Sequence, residues 1–368
     1  MRFDRRLLTY FEWPLPVLVL MATALGTATV YSATHGSGTT GASPLALRQG
    51  AWLAAGVVGM LAAVTFDYRR LDQRAYIIYF LALAAVLVVP AFGQVAGGSR
   101  RWIRLGFMSM QPSEFMKLAL VLVLARYFSR TPASTLSLRD AFAPLVAAGV
   151  PAALILVQPD LGSAAVLVFL VLTMLLLGGV RLRWLLALAA PVAALAPLLW
   201  PHLKPYQQRR VLTFIDPDMD PLGAGYHIIQ SKIAVGSGML WGKGYLKGTQ
   251  NHLNFLPEQH TDFIFSVFAE EWGFVGCVLL VVLYLGIVLR GIVIAQRTRD
   301  RFGVLLVLGV MSIVFWQVVI NVGMTTGLLP VVGIPLPFFS YGGSSLVCLL
   351  VGVGLVMNVA MRRYLMIR

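Results

Sequence analysis

The chain has 368 residues, of which 58% are hydrophobic and only 12% charged, with a formal net charge of +14. Apolar runs near the roughly 20 residues needed to cross a bilayer recur along its length, which excludes a soluble domain. Their unbroken character excludes an outer-membrane barrel, whose strands alternate over about ten residues.

The expectation is an all-α polytopic membrane protein forming a single domain over 1–368, with about ten transmembrane helices. They are placed at roughly 14–33, 48–66, 75–93, 112–129, 140–157, 161–179, 183–200, 262–289, 303–324 and 341–361. The basic start (Arg2, Arg5, Arg6) resembles a signal peptide, but Glu12, Trp13 and Pro14 interrupt it and the apolar run continues to Tyr31, so an uncleaved first helix is expected. The arginines cluster in short groups between apolar runs. That is the positive-inside pattern rather than a nucleic-acid stripe, so both termini are placed in the cytoplasm and no nucleic-acid partner is expected. The remaining exposed apolar surface is left to membrane lipids. Cys277 and Cys348 each sit in an apolar run, with neither a disulfide framework nor a metal spacing.

The outer connections carry the polar chemistry. Gly97–Lys117 opens the fourth span with Pro112 at its first position and Glu114 in its first turn. Glu114 and Lys117 are three apart on one face and can pair, as a structural ion pair or as part of a site. Asp160, in Gln158-Pro159-Asp160-Leu161-Gly162, is a natural N-cap for the sixth span.

One large extracytoplasmic loop, about 201–261, separates spans seven and eight. Asp216, Asp218 and Asp220 alternate as calcium ligands can, but the Gly and distal Glu of an EF-hand are missing, and Pro217 and Pro221 fit poorly. Tyr226, Ile229 and Ile233 at helical spacing suggest a short amphipathic helix on the outer leaflet. A glycine-rich segment follows with Trp241, Lys243 and Lys247; it lacks the spacing of a phosphate loop. With Lys117, Lys204 and Lys232 and with Arg100, Arg101, Arg104, Arg209 and Arg210, these lysines make the outer mouth basic, either as a solvated rim or as an anion site.

The loop ends at Asn251–Gly273, NHLNFLPEQHTDFIFSVFAEEWG, which runs into a span while still carrying Asp262, Glu270 and Glu271. Ionisable groups inside a span are costly and count as functional candidates. Before the tenth span, prolines 330, 335 and 337 and Gly342-Gly343-Ser344-Ser345 leave non-helical backbone, which must be buried or line a cavity. The helix start at Ser344 can cap the span or hold a phosphate.

Four segments resemble the shape, elongation, division and sporulation (SEDS) family: RRWIRLGFMSMQPSEFMKLALVLVLARY, VQPDLGSA, DPLGAGYHIIQSKIAVGSGMLWGKGYLKGTQNHLNFLPEQHTDFIFSVFAEEWGFVG and GLLPVVGIPLPFFSYGGSSL. The last two are closer to elongation members than to division members. The resemblance implies a peptidoglycan glycosyltransferase that polymerises lipid II with a class B penicillin-binding protein and other elongation-complex proteins. It implies an inner membrane location with the active site facing outward. It maps the essential carboxylate onto Asp262, the paired acid and base onto Glu114 and Lys117, and the QPD aspartate onto Asp160.

The chemistry fits those residues. The diphosphate is already a good leaving group, so the reaction needs one base for the acceptor hydroxyl and cations for the diphosphate. It needs no second carboxylate as acid. Asp262 is the expected base. Arg101, Lys117, Lys243 and Lys247 are candidate cations, with Ser344 a further substrate contact; no organic cofactor is required, and a divalent cation (magnesium or manganese) could share the charge. The alternatives are a lipid II flippase, which needs charges through mid-membrane, or a non-catalytic scaffold in which Asp262 is only a cap.

Overall fold

The computed structural model describes residues 11–35, 44–96, 99–105, 108–131, 138–202, 204–219, 224–249 and 259–363. Arg2, Arg5, Arg6, Asp220, Pro221 and the stretch 251–258 lie outside the described residues. The long helices are α1 (Pro14–His35), α2 (Pro44–Thr65), α3 (Tyr68–Phe92), α4 (Pro112–Arg130), α5 (Phe142–Val157), α6 (Leu161–Gly178) and α7 (Leu182–Leu199). Two shorter helices, α8 (Pro205–Ile215) and α9 (Ala224–Ser237), precede the long α10 (Ile264–Arg297), α11 (Arg301–Thr325) and α12 (Gly343–Arg362). Each of the ten expected spans therefore coincides with a helix.

Helix starts follow local chemistry. Asp67 accepts from Arg69 N at 3.0 Å and Asp300 from Gly303 N at 2.9 Å, capping α3 and α11. The Asp67 cap starts α3 at Tyr68, ahead of the expected 75, because helical hydrogen bonding does not stop where hydropathy falls. For the same reason α10 runs to Arg297 rather than 289.

Among the described residues, eight of these helices are long and apolar enough to cross a membrane; α4 is not among them. Helix α4 carries Glu114, Lys117, Arg126 and Arg130, and it is shielded: it packs on α3, α6, α11 and α12, and most of its residues are buried. Helix α7 stands at the edge with Leu182, Leu186, Leu195 and Leu198 exposed.

Between α3 and α4 lies a small antiparallel sheet, β1 (Gln94–Ala96), β2 (Ser99–Leu105) and β3 (Met108–Met110), in that order. It was not expected from hydropathy. Helix α9 forms, and Tyr226, Ile229 and Ile233 are not its buried stripe; Ile233 is exposed. Ile228, Ser231 and Ala234 are its buried stripe, and Ser231 Oγ bonds Ser266 Oγ and the Thr325 carbonyl, both at 2.7 Å. The helix is docked on α10 and α11 by its opposite face.

The segment after α11 is irregular, and from Ile334 to Ser340 it is largely buried. Its carbonyls find partners: Tyr284 Oη donates to Pro337 O at 2.6 Å, and Gln49 Nε2 to Ser340 O at 3.3 Å. This is how irregular backbone survives inside a bundle.

Candidate active site

Asp262 lies just before α10. Phe263 occupies the helix's cap position, and no side chain of that residue caps it. The main chain at Asp262 is held instead from α11, where buried Asn321 donates from Nδ2 to Asp262 O at 2.9 Å and to Ile334 O at 2.7 Å. One side chain thus ties the start of α10 to the irregular segment. Gly333 has φ 73°, and a Cβ there would stand 3.1 Å from Asp262 Oδ2, so the chain passes the carboxylate as closely as a glycine permits.

The same segment touches α6. A Cβ on Gly162 would meet Ile334 Cγ1 at 2.7 Å and Val332 O at 2.8 Å. Asp160 therefore reaches the same neighbourhood as Asp262. It is the cap of α6, accepting from Ser163 N at 3.0 Å, and it also accepts from Gln111 Nε2 at 3.0 Å. Arg101 on β2 donates to Pro159 O at 2.7 Å and stands 4.0 Å from Asp160 Oδ1. The sheet's role is to aim Arg101 at this turn.

Glu114 and Lys117 pair at 2.8 Å, both almost wholly buried. A small cavity against them is lined by Leu118, Ile313, Cys348 and Leu349. Cys348 Sγ contacts Glu114 O at 3.1 Å. Ser344 lies one turn before Cys348 on α12, 2% exposed, with no hydrogen-bond partner for its Oγ among the described residues. Gln317, one turn beyond Ile313 on α11, is fully buried with neither amide atom bonded among them. Helices α4 and α11 run antiparallel in register here, since a Cβ on Gly309 would meet Val121 Cγ1 at 2.6 Å. Advancing both helices outward from that contact places Gln317 at the level of Ser113 and Glu114.

The structure separates the two lysines of the large loop from this cluster. Lys243 Nζ bonds Glu270 Oε1 at 2.6 Å and Thr249 Oγ1 at 2.8 Å, and Thr249 N also donates to Glu270 Oε1 at 2.9 Å. Lys247 is exposed, its backbone N–H on Gly244 O at 3.1 Å. Glu271 accepts from Ser32. Glu270 and Glu271 thus anchor the outer half of α10 to neighbouring chain.

That anchoring repairs a break. Gly273 sits inside α10 at φ 65°, ψ −167°, which interrupts the helical ladder. The turn 238–244 is spliced in: Phe274 N and Val275 N donate to Met239 O and Leu240 O, while Lys243 N and Gly244 N donate to Glu270 O and Glu271 O, all at 2.8–3.1 Å. Four backbone groups flanking the kink are thus satisfied by the loop, as a low-dielectric setting requires.

Sequence reasoning missed Asn321, Gln317 and the inward face of α8. A signal existed for the first two, because amides inside the apolar run of α11 are costly there.

A family model described as cell cycle protein, covering FtsW, RodA and SpoVE, matches residues 13–365. The peptidoglycan glycosyltransferase MrdB of Escherichia coli K12 is 44% identical over 312 residues, 84% of each chain. The peptidoglycan glycosyltransferase RodA of Treponema pallidum is 34% identical, over 96% of this chain and 98% of its own. Among solved structures, a chain from work on structural coordination of polymerization and crosslinking by a peptidoglycan synthase complex superposes with a TM-score of 0.82 at 35% identity, over 96% of this chain and 98% of the other. The crystal structure of the rod-shape-determining protein RodA of Thermus thermophilus gives 0.71 at 31% identity with the same coverage.

Proposed function

This chain belongs to the FtsW/RodA/SpoVE family of cell-cycle proteins, and from that premise we propose that it polymerises lipid II into glycan strands during cell elongation. It is a peptidoglycan glycosyltransferase embedded in a membrane. In the proposed reaction the acceptor sugar's 4-hydroxyl attacks the anomeric carbon of a polyprenyl-diphosphate-linked disaccharide with inversion. The C1–O bond to the diphosphate breaks, its electron pair leaves on the phosphate oxygen, and Asp262 takes the hydroxyl proton.

The observation that carries this reading is how Asp262 is held: Asn321 from α11 binds its carbonyl, Gly333 of the irregular segment passes its carboxylate, and the turn of Asp160 and Gly162 packs on that same segment. Positioning of this kind is what a general base needs, and such a base contributes about 10²–10⁴-fold. A scaffold role for Asp262 as a cap is disfavoured because the cap position is Phe263. A flippase is disfavoured because the buried carboxylates within the described long helices, Glu114, Glu270 and Glu271, lie within a few turns of the site end, not along a path through the bundle.

Arg101 and Lys117 are the sequence-predicted cations nearest this cluster. Among the described residues no three His, Cys, Asp or Glu side chains could together hold a metal ion, so magnesium or manganese, if used, would enter largely on the diphosphate itself. An apolar groove of about 380 Å³ lined by Met239, Phe265, Phe274 and Cys277 is a fitting place for the polyprenyl tail. The proposed partner is a class B penicillin-binding protein, in line with the synthase complex that gave the 0.82 superposition. The positive-inside distribution supports an inner-membrane placement with this end outward.

The test is polymerisation from purified lipid II, with the cognate penicillin-binding protein, by wild type and Asp262→Asn. Wild type makes polymer, and the variant loses at least about 100-fold while still binding its partner. Equal polymer from both removes Asp262 as the base.

A further inference from the structure

Helix α8 turns a basic face inward. Gln207 fixes its start, accepting from Lys204 N at 3.0 Å, and Gln208 Nε2 donates to Trp200 O at 2.8 Å. With that start set, Tyr206, Arg210 and Thr213 share one side, on which Thr213 is buried; Arg209 flanks that side and is exposed, as is Ile215 on the opposite side. The Arg210 guanidinium lies over the Tyr206 ring at 5.9 Å. Both end in buried polar atoms that meet no partner among the described residues, Arg210 Nη1 and Tyr206 Oη.

Burying a guanidinium is costly unless an anion or acceptor meets it. The charges within electrostatic range of Arg210 are Arg101, Asp160 and Asp262, which places α8 over the candidate active site. Burial, followed by repulsion from Arg101, holds Arg210 below its ordinary value, and Tyr206, Asp160 and Asp262 only partly offset this. Asp160 cannot neutralise Arg210 alone, since its oxygens already serve Ser163, Gln111 and Arg101. Asp160 and Asp262 balance Arg101 and Arg210 in charge, but Arg210 Nη1 and Tyr206 Oη bond neither carboxylate, which leaves two donors for the oxygens of an anionic ligand. Arginine's planar fork is the usual solution for phosphate oxygens, and a tyrosine hydroxyl adds a neutral donor.

We propose that Tyr206 and Arg210, on the inward face of α8, seat the diphosphate of the lipid-linked sugar donor beside Asp262, with Arg101 on the opposite flank. This rests on the glycosyltransferase reading above. Arg210 then serves two ends: it neutralises the leaving diphosphate as the C1–O bond breaks, and it keeps that charge from raising the proton affinity of Asp262.

The experiment uses the full-length protein in lipid nanodiscs and measures binding of undecaprenyl diphosphate, undecaprenyl monophosphate and undecaprenol to wild type, Arg210→Gln, Arg210→Lys and Tyr206→Phe. Wild type should prefer the diphosphate. Arg210→Gln should lose about tenfold or more of that affinity, with Arg210→Lys and Tyr206→Phe in between, because charge-assisted hydrogen bonds of this kind are worth about 1.5–3 kcal/mol. Undecaprenol binding should be unchanged in all four. Diphosphate affinity equal to wild type in Arg210→Gln overturns the proposal. Should Arg210→Gln lose undecaprenol as well, its fold is at fault and the near-isosteric Tyr206→Phe decides: no loss of diphosphate affinity there also overturns it. Polymerisation separates the two readings. Arg210-dependent diphosphate binding with no polymer from wild type keeps the seat and sinks the glycosyltransferase, whereas equal polymer from wild type and Arg210→Gln does the reverse.

Discussion

The two ends of the bundle use charge in opposite ways. At the end where α1 begins and α12 ends, acids and bases are paired off. Glu12 meets Arg290 at 2.8 Å and Arg363 at 2.7 Å, and Asp72 meets Arg126 at 3.5 Å and Arg130 at 3.2 Å. Arg362 reaches Asp67 at 3.6 Å, and Asn358 Nδ2 donates to the Ala63, Val64 and Phe66 carbonyls. At the Asp262 end, buried polar atoms of Arg210, Tyr206, Ser344 and Gln317 have no partner among the described residues. Of the six positive-φ glycines among the described residues, five, at 242, 244, 273, 327 and 333, are there as well. One end spends its polar groups on closing helices; the other holds them ready for something else. The paired end also has unpartnered atoms, Asp72 Oδ1, Arg126 Nε and Arg290 Nε, but each belongs to a side chain paired through another atom. Tyr206, Ser344 and Gln317 make no side-chain hydrogen bond among the described residues, and such groups mark where a ligand belongs.

The largest expected effect comes from the buried pair that belongs to the site end yet resembles the other. Lys117→Met leaves Glu114 buried and uncompensated, which should cost about 3–5 kcal/mol. Glu114→Gln combined with Lys117→Met removes both charges and should restore most of that stability, read as melting temperature in detergent. Polymerisation should remain low in the double variant. If activity returns with stability, the pair is only a staple and the contrast between the ends weakens.

Asn321→Leu comes next. It deprives the Asp262 and Ile334 carbonyls of their donor, and a displacement of the base by even about 1 Å costs about 100-fold in rate. The comparison is sharpened by Asn358→Leu at the other end, which removes a similar amide clamp. That variant should lose stability and keep its turnover per folded molecule, whereas Asn321→Leu should lose turnover at unchanged partner binding.

What the sequence allowed and what it hid divide along the same line. Ten helices were readable because each is a mostly apolar run, and the Asp160 cap and the Glu114–Lys117 pair were readable because caps and i,i+3 pairs are local. The small sheet that aims Arg101 was not, since strands of three to seven residues leave little pattern. Arg210 looked like one more rim charge, because its inward direction depends on how α8 follows α7. Lys243 looked like a free cation, because its partner Glu270 lies 27 positions on. Contacts closed across the chain have no sequence period to betray them.

The splice at Gly273 is an example with a testable consequence. At φ 65°, ψ −167° the backbone occupies a region that is essentially reserved for glycine. Gly273→Ala should therefore cost about 1–3 kcal/mol and release the 238–244 turn, with faster proteolysis there. Gly179→Ala, at the φ 112° end of α6 on the other side of the bundle, should cost a similar amount without exposing that turn. Proteolysis at 238–244 in both variants would mean the splice has no local anchoring role.

The smallest effect belongs to the paired end and is a matter of pH. Burial of Glu12 works to raise its pKa, but the hydrogen bonds and charges of Arg363 and Arg290 outweigh it and hold the carboxyl below its ordinary value of 4.5. A carboxylate whose folded value is depressed stabilises the fold above its unfolded value and loses that contribution as pH falls through the folded one. The margin of wild type over Glu12→Gln in melting temperature should therefore be constant above about pH 4.5 and shrink below it. Its size should be a few degrees, corresponding to about 1 kcal/mol for a half-buried pair. Polymerisation per folded molecule should be the same for both proteins near neutral pH. A margin that instead widens on acidification would mean that Glu12 is held protonated, with burial winning over the two arginines, and this end would then share the unresolved electrostatics of the site.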